Sequence, residues 1–255
     1  MIEKRPHIRL VEISLTRRQA FGRQLSFAFP SANGLNRAPK AFGKLMYAVI
    51  FIYNRQVYTC LYKNQTSVFD SYLASEQIES LAARFDRKVA YQPILLGVIF
   101  RTSGQRPLTD IPLKGDYSRR DFERSARFAK LAFRLPEPFP ISTVHAARAC
   151  LVLQSERPDL APEFIHRAFR AYFAEGRNIS DIEVLRRVLQ ESGAQASAVL
   201  EAAARSDTKE RLKSTIDESI ARGVFGAPYF IVDGEPFWGN DRLAQMERWL
   251  ASGPF

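Results

Sequence analysis

The spacing of hydrophobic positions changes several times along the chain and predicts its elements. From residue 71 to residue 86, apolar residues recur every three or four positions, which predicts an amphipathic helix. Residues 88–100 alternate at first and then become continuously apolar, which predicts a strand. Residues 102–117 are rich in Gly, Pro and Thr and predict a loop.

The middle of the chain is predicted to be mainly helical. Ser118 is the predicted N-cap of one helix, with Asp121 three residues later in a variant of the capping box. Ser180 is the predicted N-cap of another helix. The remaining predicted helices lie at roughly 141–155, 161–174, 180–192, 195–204 and 207–222.

Residues 229–238, YFIVDGEPFW, predict a β-hairpin near the C-terminus. Asp233 and Gly234 supply the positive φ angles that a tight two-residue turn needs. Pro236 has no backbone donor, so the second strand is predicted to lie at an edge of the sheet.

Two features flank this hairpin. The Ala227-Pro228 bond is predicted to be cis, which would turn the Ala227 backbone outward to pair with an extended ligand. A helix is predicted after Gly239, with Leu243 and Met246 on its apolar face. Its first turn offers free backbone N–H groups and the positive end of the helix dipole, which favour an anion.

Charge separates residues 1–66 from the rest of the chain. They hold 11 Lys and Arg against 2 Asp and Glu, whereas the remainder holds 26 against 25. Residues 45–62 predict a hairpin turning at Asn54-Arg55. A basic segment of this kind fits nucleic-acid or membrane binding, mitochondrial targeting, or an extension without a role. The sequence leaves these alternatives open.

Composition is that of a globular protein, with 46% hydrophobic and 25% charged residues. The longest apolar run, residues 45–52, is too short to span a bilayer. Cys60 and Cys150 form neither a C-x-x-C motif nor a metal-ligand spacing. No disulfide framework, dithiol centre or metal site is therefore predicted, and the cytoplasm is the default expectation, with mitochondria as the alternative.

Residues 223–243, GVFGAPYFIVDGEPFWGNDRL, resemble the C-terminal signature of the 2-hydroxychromene-2-carboxylate isomerase family. The resemblance extends back through SYLASEQIESLAARF, PILLG and FRLPEPFPI and covers about residues 67–255. That family belongs to the DsbA-like thioredoxin superfamily and is related to kappa-class glutathione transferases. The resemblance implies an α/β, thioredoxin-like fold with an all-helical insertion, preceded here by the basic extension.

This fold divides the chain into four predicted segments. Residues 1–66 form the extension, and residues 67–117 form the first part of the thioredoxin-like domain. Residues 118–206 form the helical insertion. Residues 207–255 form the second part of the domain, with the cis-proline, the hairpin and the C-terminal helix.

The resemblance also implies an activity, which is the glutathione-dependent cis–trans isomerisation of an aromatic carboxylate, as in arene degradation. Glutathione is the implied cofactor, and the implied partners are the aromatic substrate and a second copy of the chain in a homodimer. The alternatives are a kappa-class-like transferase, a non-catalytic glutathione- or peptide-binding module, and a nucleic-acid or membrane adaptor acting through residues 1–66. A DsbA-type disulfide oxidoreductase is disfavoured because no cysteine stands at the head of the first helix.

The resemblance implies particular roles for residues of this chain. Asp241 meets the ammonium of the γ-glutamyl group, the Ala227 backbone pairs with the cysteinyl residue, and Lys114 faces a carboxylate. A dipole-complementing role for Asp241 and a solvated role for Lys114 are the alternatives. The implied glutathione-binding residues are Ala227, Pro228, Asn240, Asp241, Arg242 and Lys114. The substrate-side candidates are Tyr72, Asp116 and Tyr117, with packing as the alternative for both tyrosines.

The residues just before the S-Y-L-A motif depart from the family's pattern. The family has a serine there that faces the glutathione sulfur. A gap-free count puts Val68 at that position, so Ser67, one residue out of register, is the candidate for the catalytic role. The family's first strand is also absent at this point, and VYTCLY (57–62) is its predicted substitute. A fusion or an altered reading frame upstream of about residue 67 is the alternative explanation.

Overall fold

A computed structural model of the protein describes residues 56–61, 67–104 and 111–255. Its elements in chain order are β1 (Gln56–Leu61), α1 (Ser67–Ala83), β2 (Lys88–Pro93), α2 (Leu96–Ser103), α3 (Lys114–Phe128), α4 (Val144–Glu156), α5 (Ala161–Phe173), α6 (Ile182–Glu191), α7 (Ala196–Ala204), α8 (Ser206–Ala221), β3 (Tyr229–Val232), β4 (Glu235–Trp238), a 3₁₀ turn (Asn240–Arg242) and α9 (Leu243–Ser252). In this part of the chain, no helix has the length and apolar character needed to cross a bilayer.

The four strands form one sheet in the order β2-β1-β3-β4. Strand β1 runs parallel to β2, with Val57 opposite Val89, and antiparallel to β3, with Val57 opposite Val232. This central position confirms the prediction that VYTCLY supplies the first strand. It also places residues 56–61 in the sheet, although the predicted boundary at residue 66 assigned them to the extension. The predicted turn at Asn54-Arg55 lies outside the described residues.

The predicted hairpin is confirmed in register and in turn geometry. Tyr229 pairs with Trp238, and Val232 pairs with Glu235. The turn residues Asp233 and Gly234 both have positive φ angles, of 53° and 91°. Because β4 is an edge strand, Pro236 lies where the prediction placed it.

The strand predicted at residues 88–100 is wrong in its second half. Strand β2 ends at Pro93, and helix α2 starts at Leu96. The misjudged part is a short apolar run with Ile94, Leu96 and Ile99 buried, and periodicity alone cannot separate a buried helix from a buried strand over so few residues. The predicted loop at 102–117 likewise ends early, because α3 begins at Lys114.

Two predicted N-caps are wrong by a few residues. Ser118 lies inside α3, where its buried hydroxyl donates to the carbonyl of Lys114 at 2.7 Å and so satisfies itself within the helix. Ser180 precedes the true cap of α6, which is Asp181. The Asp181 carboxylate accepts from the backbone N–H groups of Glu183 and Val184. A carboxylate also complements the positive end of the helix dipole.

The helices between β2 and β3 pack around a core of aromatic side chains that joins α1 to the helical middle of the chain. Phe69 of α1 lies 4.7 Å from Phe122 and 5.9 Å from Phe173, measured between ring centroids. Tyr72 stacks on Phe173 at 5.6 Å. The layout confirms the predicted α/β fold with a helical insertion, while the insertion bounds at 118 and 206 stay predictions.

Truncating the centre of this aromatic core is expected to destabilise the protein strongly. Phe173 is fully buried, so Phe173→Ala should lower the free energy of unfolding by about 3–5 kcal/mol, measured by urea denaturation. Phe128→Ala is the matched control, because Phe128 is 91% exposed and its loss should change that free energy by less than about 0.5 kcal/mol. Equal effects of the two substitutions would contradict this description of the core.

Candidate functional site

A cavity of about 420 Å³ opens where α1, α3 and the start of the C-terminal helix meet the loop before β3. Helix α1 contributes Asp70 and Leu73 to its wall, and α3 contributes Asp121 and Ser125. The opposite wall is the segment from Trp238 to Arg242 together with Ala227. The cavity thus lies between the first turn of α1 and the segment that follows the C-terminal hairpin.

The C-terminal wall has a tightly specified backbone. The Ala227-Pro228 bond is cis, as predicted, and the Pro228 carbonyl accepts a hydrogen bond from the N–H of Gly239 at 3.0 Å. Gly239 has a φ angle of 104°, and a Cβ atom there would lie 2.4 Å from Oδ1 of Asp241. Only glycine tolerates both conditions, so this residue lets Asp241 come close to the backbone at the cavity wall.

Three carboxylates dominate the charge of the cavity. Asp121 pairs with Arg124, and Asp241 pairs with Arg242 at 2.7 Å. Asp70 is partly buried in the first turn of α1. Burial, followed by repulsion from Asp241 and Asp121, raises the pKa of Asp70 from its usual value to about 7. The site therefore contains a carboxyl group that changes charge near neutral pH.

A second groove, of about 680 Å³, continues from this cavity along α1. The two share Leu73, Ser125, Asn240 and Asp241 in their walls. The amide of Gln77 donates to Oδ1 of Asn240 at 3.5 Å, which ties the 3₁₀ turn to α1. The combined space is large enough for a tripeptide and a second small molecule.

The structure brings together four of the predicted glutathione-binding residues. The same cavity is lined by Ala227, Asn240, Asp241 and Arg242. Pro228 contributes its carbonyl, which accepts a hydrogen bond from the N–H of Gly239 in the cavity wall.

Lys114, Asp116 and Tyr117 are not in this group. They lie exposed at the start of α3, where Asp116 pairs with Arg119 and the Tyr117 hydroxyl accepts from Arg124. None of the three lines either of the two cavities, so their predicted roles stay predictions.

Tyr72 is buried in the aromatic core, so the packing alternative is the one observed. Its hydroxyl donates to the carbonyl of Ala132 at 2.9 Å, and burial raises its pKa to about 12. Tyr72 lines neither of the two cavities that contain Asp241, and its assignment to the substrate side stays a prediction.

Ser67 and Val68 are the first two residues of α1. Their side chains lie outside the described part of the structure. The assignment of the catalytic serine therefore stays a prediction.

Sequence reasoning missed Asp70, Asp121 and Ser125. Asp70 did carry a signal, because it stands immediately before the S-Y-L-A motif, in the stretch where the family pattern was broken. Asp121 and Ser125 lie one turn apart on α3 and carry no comparable signal. Within residues 56–61, 67–104 and 111–255, no group of three or more His, Cys, Asp or Glu side chains is arranged to hold a metal ion.

Comparison with known proteins gives consistent matches. A family model described as a DSBA-like thioredoxin domain matches residues 70–251. The chain is 30% identical over 182 residues to a 2-hydroxychromene-2-carboxylate isomerase from Sphingobium xenophagum, covering 71% of this chain and 91% of that protein. It is 23% identical over 184 residues to glutathione S-transferase kappa 1 from Rattus norvegicus, covering 66% and 81%. A solved 2-hydroxychromene-2-carboxylate isomerase structure has the same fold, with a TM-score of 0.68 at 24% identity, covering 77% of this chain and 94% of that one.

Asp70→Asn is expected to remove a pH dependence of stability. The pKa of Asp70 is 3.8 in its ordinary state and about 7 in the fold. Between these values the folded protein holds a proton that the unfolded chain has released, so stability falls as pH rises through this window. Asp70→Asn lacks this fall. Its free energy of unfolding, relative to that of the wild type, should therefore rise by on the order of 2–4 kcal/mol as the pH increases from about 4 to about 8.

Urea unfolding across this pH range measures the gain. Asp116→Asn is the control, because it removes the same charge from a side chain that is 91% exposed. The control should follow the wild type at every pH. A gain of the same size in both variants would show that the effect is one of net charge and not of the cavity.

Proposed function

Because the chain belongs to the DSBA-like thioredoxin family, and its relatives include 2-hydroxychromene-2-carboxylate isomerases and kappa-class glutathione transferases, we propose that it is a glutathione-dependent enzyme. Its proposed reaction is the cis–trans isomerisation of an aromatic carboxylate of the hydroxychromene or benzylidenepyruvate type. The observation that carries this proposal is the convergence of Ala227, Asn240, Asp241 and Arg242 on one cavity at the end of α1.

Glutathione is proposed to lie across this cavity with its γ-glutamyl end at the C-terminal wall. The ammonium of that end meets the carboxylate of Asp241, which is 72% exposed and accessible despite its pairing with Arg242. The carboxylate of the same end meets the amide of Asn240 and the positive end of the helix dipole at the start of the 3₁₀ turn and α9. The cysteinyl backbone pairs with Ala227.

This orientation directs the sulfur toward the first turn of α1. The N-terminus of a helix carries a partial positive charge, which stabilises a thiolate and lowers the pKa of a thiol. The thiolate adds to the conjugated carbon of the substrate, so that the former double bond becomes single and rotates. Expulsion of the thiolate then restores the double bond in the other configuration, with no net consumption of glutathione.

The aromatic ring of the substrate is proposed to rest beside Trp238. This indole lines the cavity and is 48% exposed, and its ring lies 4.9 Å from that of Phe225. A half-exposed indole that packs on a second, partly buried aromatic ring offers a flat apolar surface for an arene. The ring system of the natural substrate, the cytoplasmic location and the homodimer stay predictions.

Asp241→Ala is expected to weaken glutathione binding about 10- to 100-fold, because one charged hydrogen-bonding partner of the ligand is removed. Calorimetric titration of the full chain with glutathione measures this. Asp116→Ala is the control, since it changes the net charge equally at a position outside the cavity. Unchanged affinity in the Asp241 variant, or an equal loss in both variants, would contradict the proposed site.

The reaction itself is tested with glutathione and 2-hydroxychromene-2-carboxylate, followed by absorbance. We expect isomerisation that requires glutathione and leaves its concentration unchanged. Consumption of glutathione with 1-chloro-2,4-dinitrobenzene, without isomerisation, would favour the kappa-class-like transferase instead. Glutathione binding with neither reaction would identify a non-catalytic binding module.

A further inference from the structure

Asp70 has no role in the glutathione site as the resemblance describes it. It belongs to the first turn of α1, and its side chain lines the cavity that also contains Ala227 and Asp241. The family's sulfur-facing serine is replaced in a gap-free count by Val68, which has no hydroxyl group. The chain therefore lacks a hydroxyl group at position 68 and has a carboxyl group two residues later, at Asp70.

Asp70 differs from the other two carboxylates of the cavity, because each of those two is paired with an arginine. From α3, Asp121 faces it and is already paired with Arg124. From the 3₁₀ turn, Asp241 faces it and is paired with Arg242. Among the described residues that line the cavity, Arg242 is the one cationic side chain. Two neighbouring carboxylates thus repel a negative charge on Asp70, and the arginines that pair with them are already engaged.

We propose that Asp70 is the base that accepts the thiol proton of glutathione and then holds the resulting thiolate by a hydrogen bond, which is an inference that rests on the proposed glutathione site. The S–H bond of glutathione breaks, its proton moves to the Asp70 carboxylate, and the sulfur keeps the electron pair. Asp70, now neutral, donates its new O–H to the thiolate. No proton enters or leaves the site in this step.

The environment of Asp70 suits this exchange. The pKa of about 7 places the carboxyl group close to the ionisation range of a thiol at a helix N-terminus. A proton moves readily between two groups of similar affinity, and a base is most effective when its pKa lies near the working pH. The neutral carboxyl also supplies the donor that valine at position 68 cannot.

The proposal predicts a distinctive proton balance when glutathione binds. Thiolate formation is followed by its ultraviolet absorbance, and proton release is followed with an indicator in weak buffer at about pH 8, above the pKa of Asp70 and below that of a free thiol. In the wild type, about zero protons should be released per thiolate formed. Asp70→Asn keeps a donor but cannot hold a proton, so about one proton should be released per thiolate.

Two further variants separate the proposal from a structural effect. Asp70→Ala removes both the proton acceptor and the hydrogen-bond donor. The pH midpoint of thiolate formation should therefore rise toward the ordinary thiol pKa of about 8.5. Asp121→Asn removes a repelling charge and keeps Asp70, so the pH midpoint of thiolate formation should fall. Circular dichroism verifies that each variant is folded.

Release of about one proton per thiolate in the wild type would overturn the role of Asp70 while leaving the glutathione site intact. An unchanged midpoint in Asp70→Ala would overturn it as well. Absence of glutathione binding to the wild type in calorimetry would instead overturn the proposed function, and this inference with it. These failures are distinguishable because binding is measured independently of thiolate formation.

Discussion

The pairing of Gln56–Leu61 with strands on both of its sides is the constraint on which the rest of this structure depends. Strand β1 separates β2 from β3, so without it the sheet would divide and both neighbours would expose unpaired backbone groups. Parallel pairing with β2 requires a crossover, and α1 is that crossover. The position of the first turn of α1, and so of Asp70, follows from that of β1.

The cavity then results from how the C-terminal hairpin meets the first turn of α1. The hairpin pairs with β1 through β3, and its edge strand leads through Gly239 into the 3₁₀ turn. Because Gly239 has a positive φ angle and no side chain, Asp241 can lie against the backbone beside α1. The aromatic core anchors the other side through Phe69 and Phe173. Rigid elements therefore hold three carboxylates around one space, and burial, followed by repulsion from Asp241 and Asp121, favours a proton on Asp70.

Much of the fold could be predicted because the backbone preferences of individual residues agree with the conformations that those residues adopt in the folded protein. The Asp233-Gly234 turn, the edge position of Pro236 and the cis bond before Pro228 each follow from one or two residues. The α2 segment could not be assigned, because a buried apolar run looks the same in a helix and in a strand. Ala227, Asn240 and Asp241 could be assigned to one site from a contiguous motif. Asp70 and Asp121 could not, because their proximity exists only once α1 packs beside α3.

The most direct test of this account is a crystal structure of the full chain with glutathione bound. The account predicts that the γ-glutamyl ammonium contacts Asp241 and the cysteinyl backbone pairs with Ala227. The sulfur should lie at the first turn of α1, within hydrogen-bonding distance of the Asp70 carboxyl group. Glutathione bound at the start of α3 beside Lys114 and Tyr117, or with its sulfur directed along the groove away from Asp70, would contradict it.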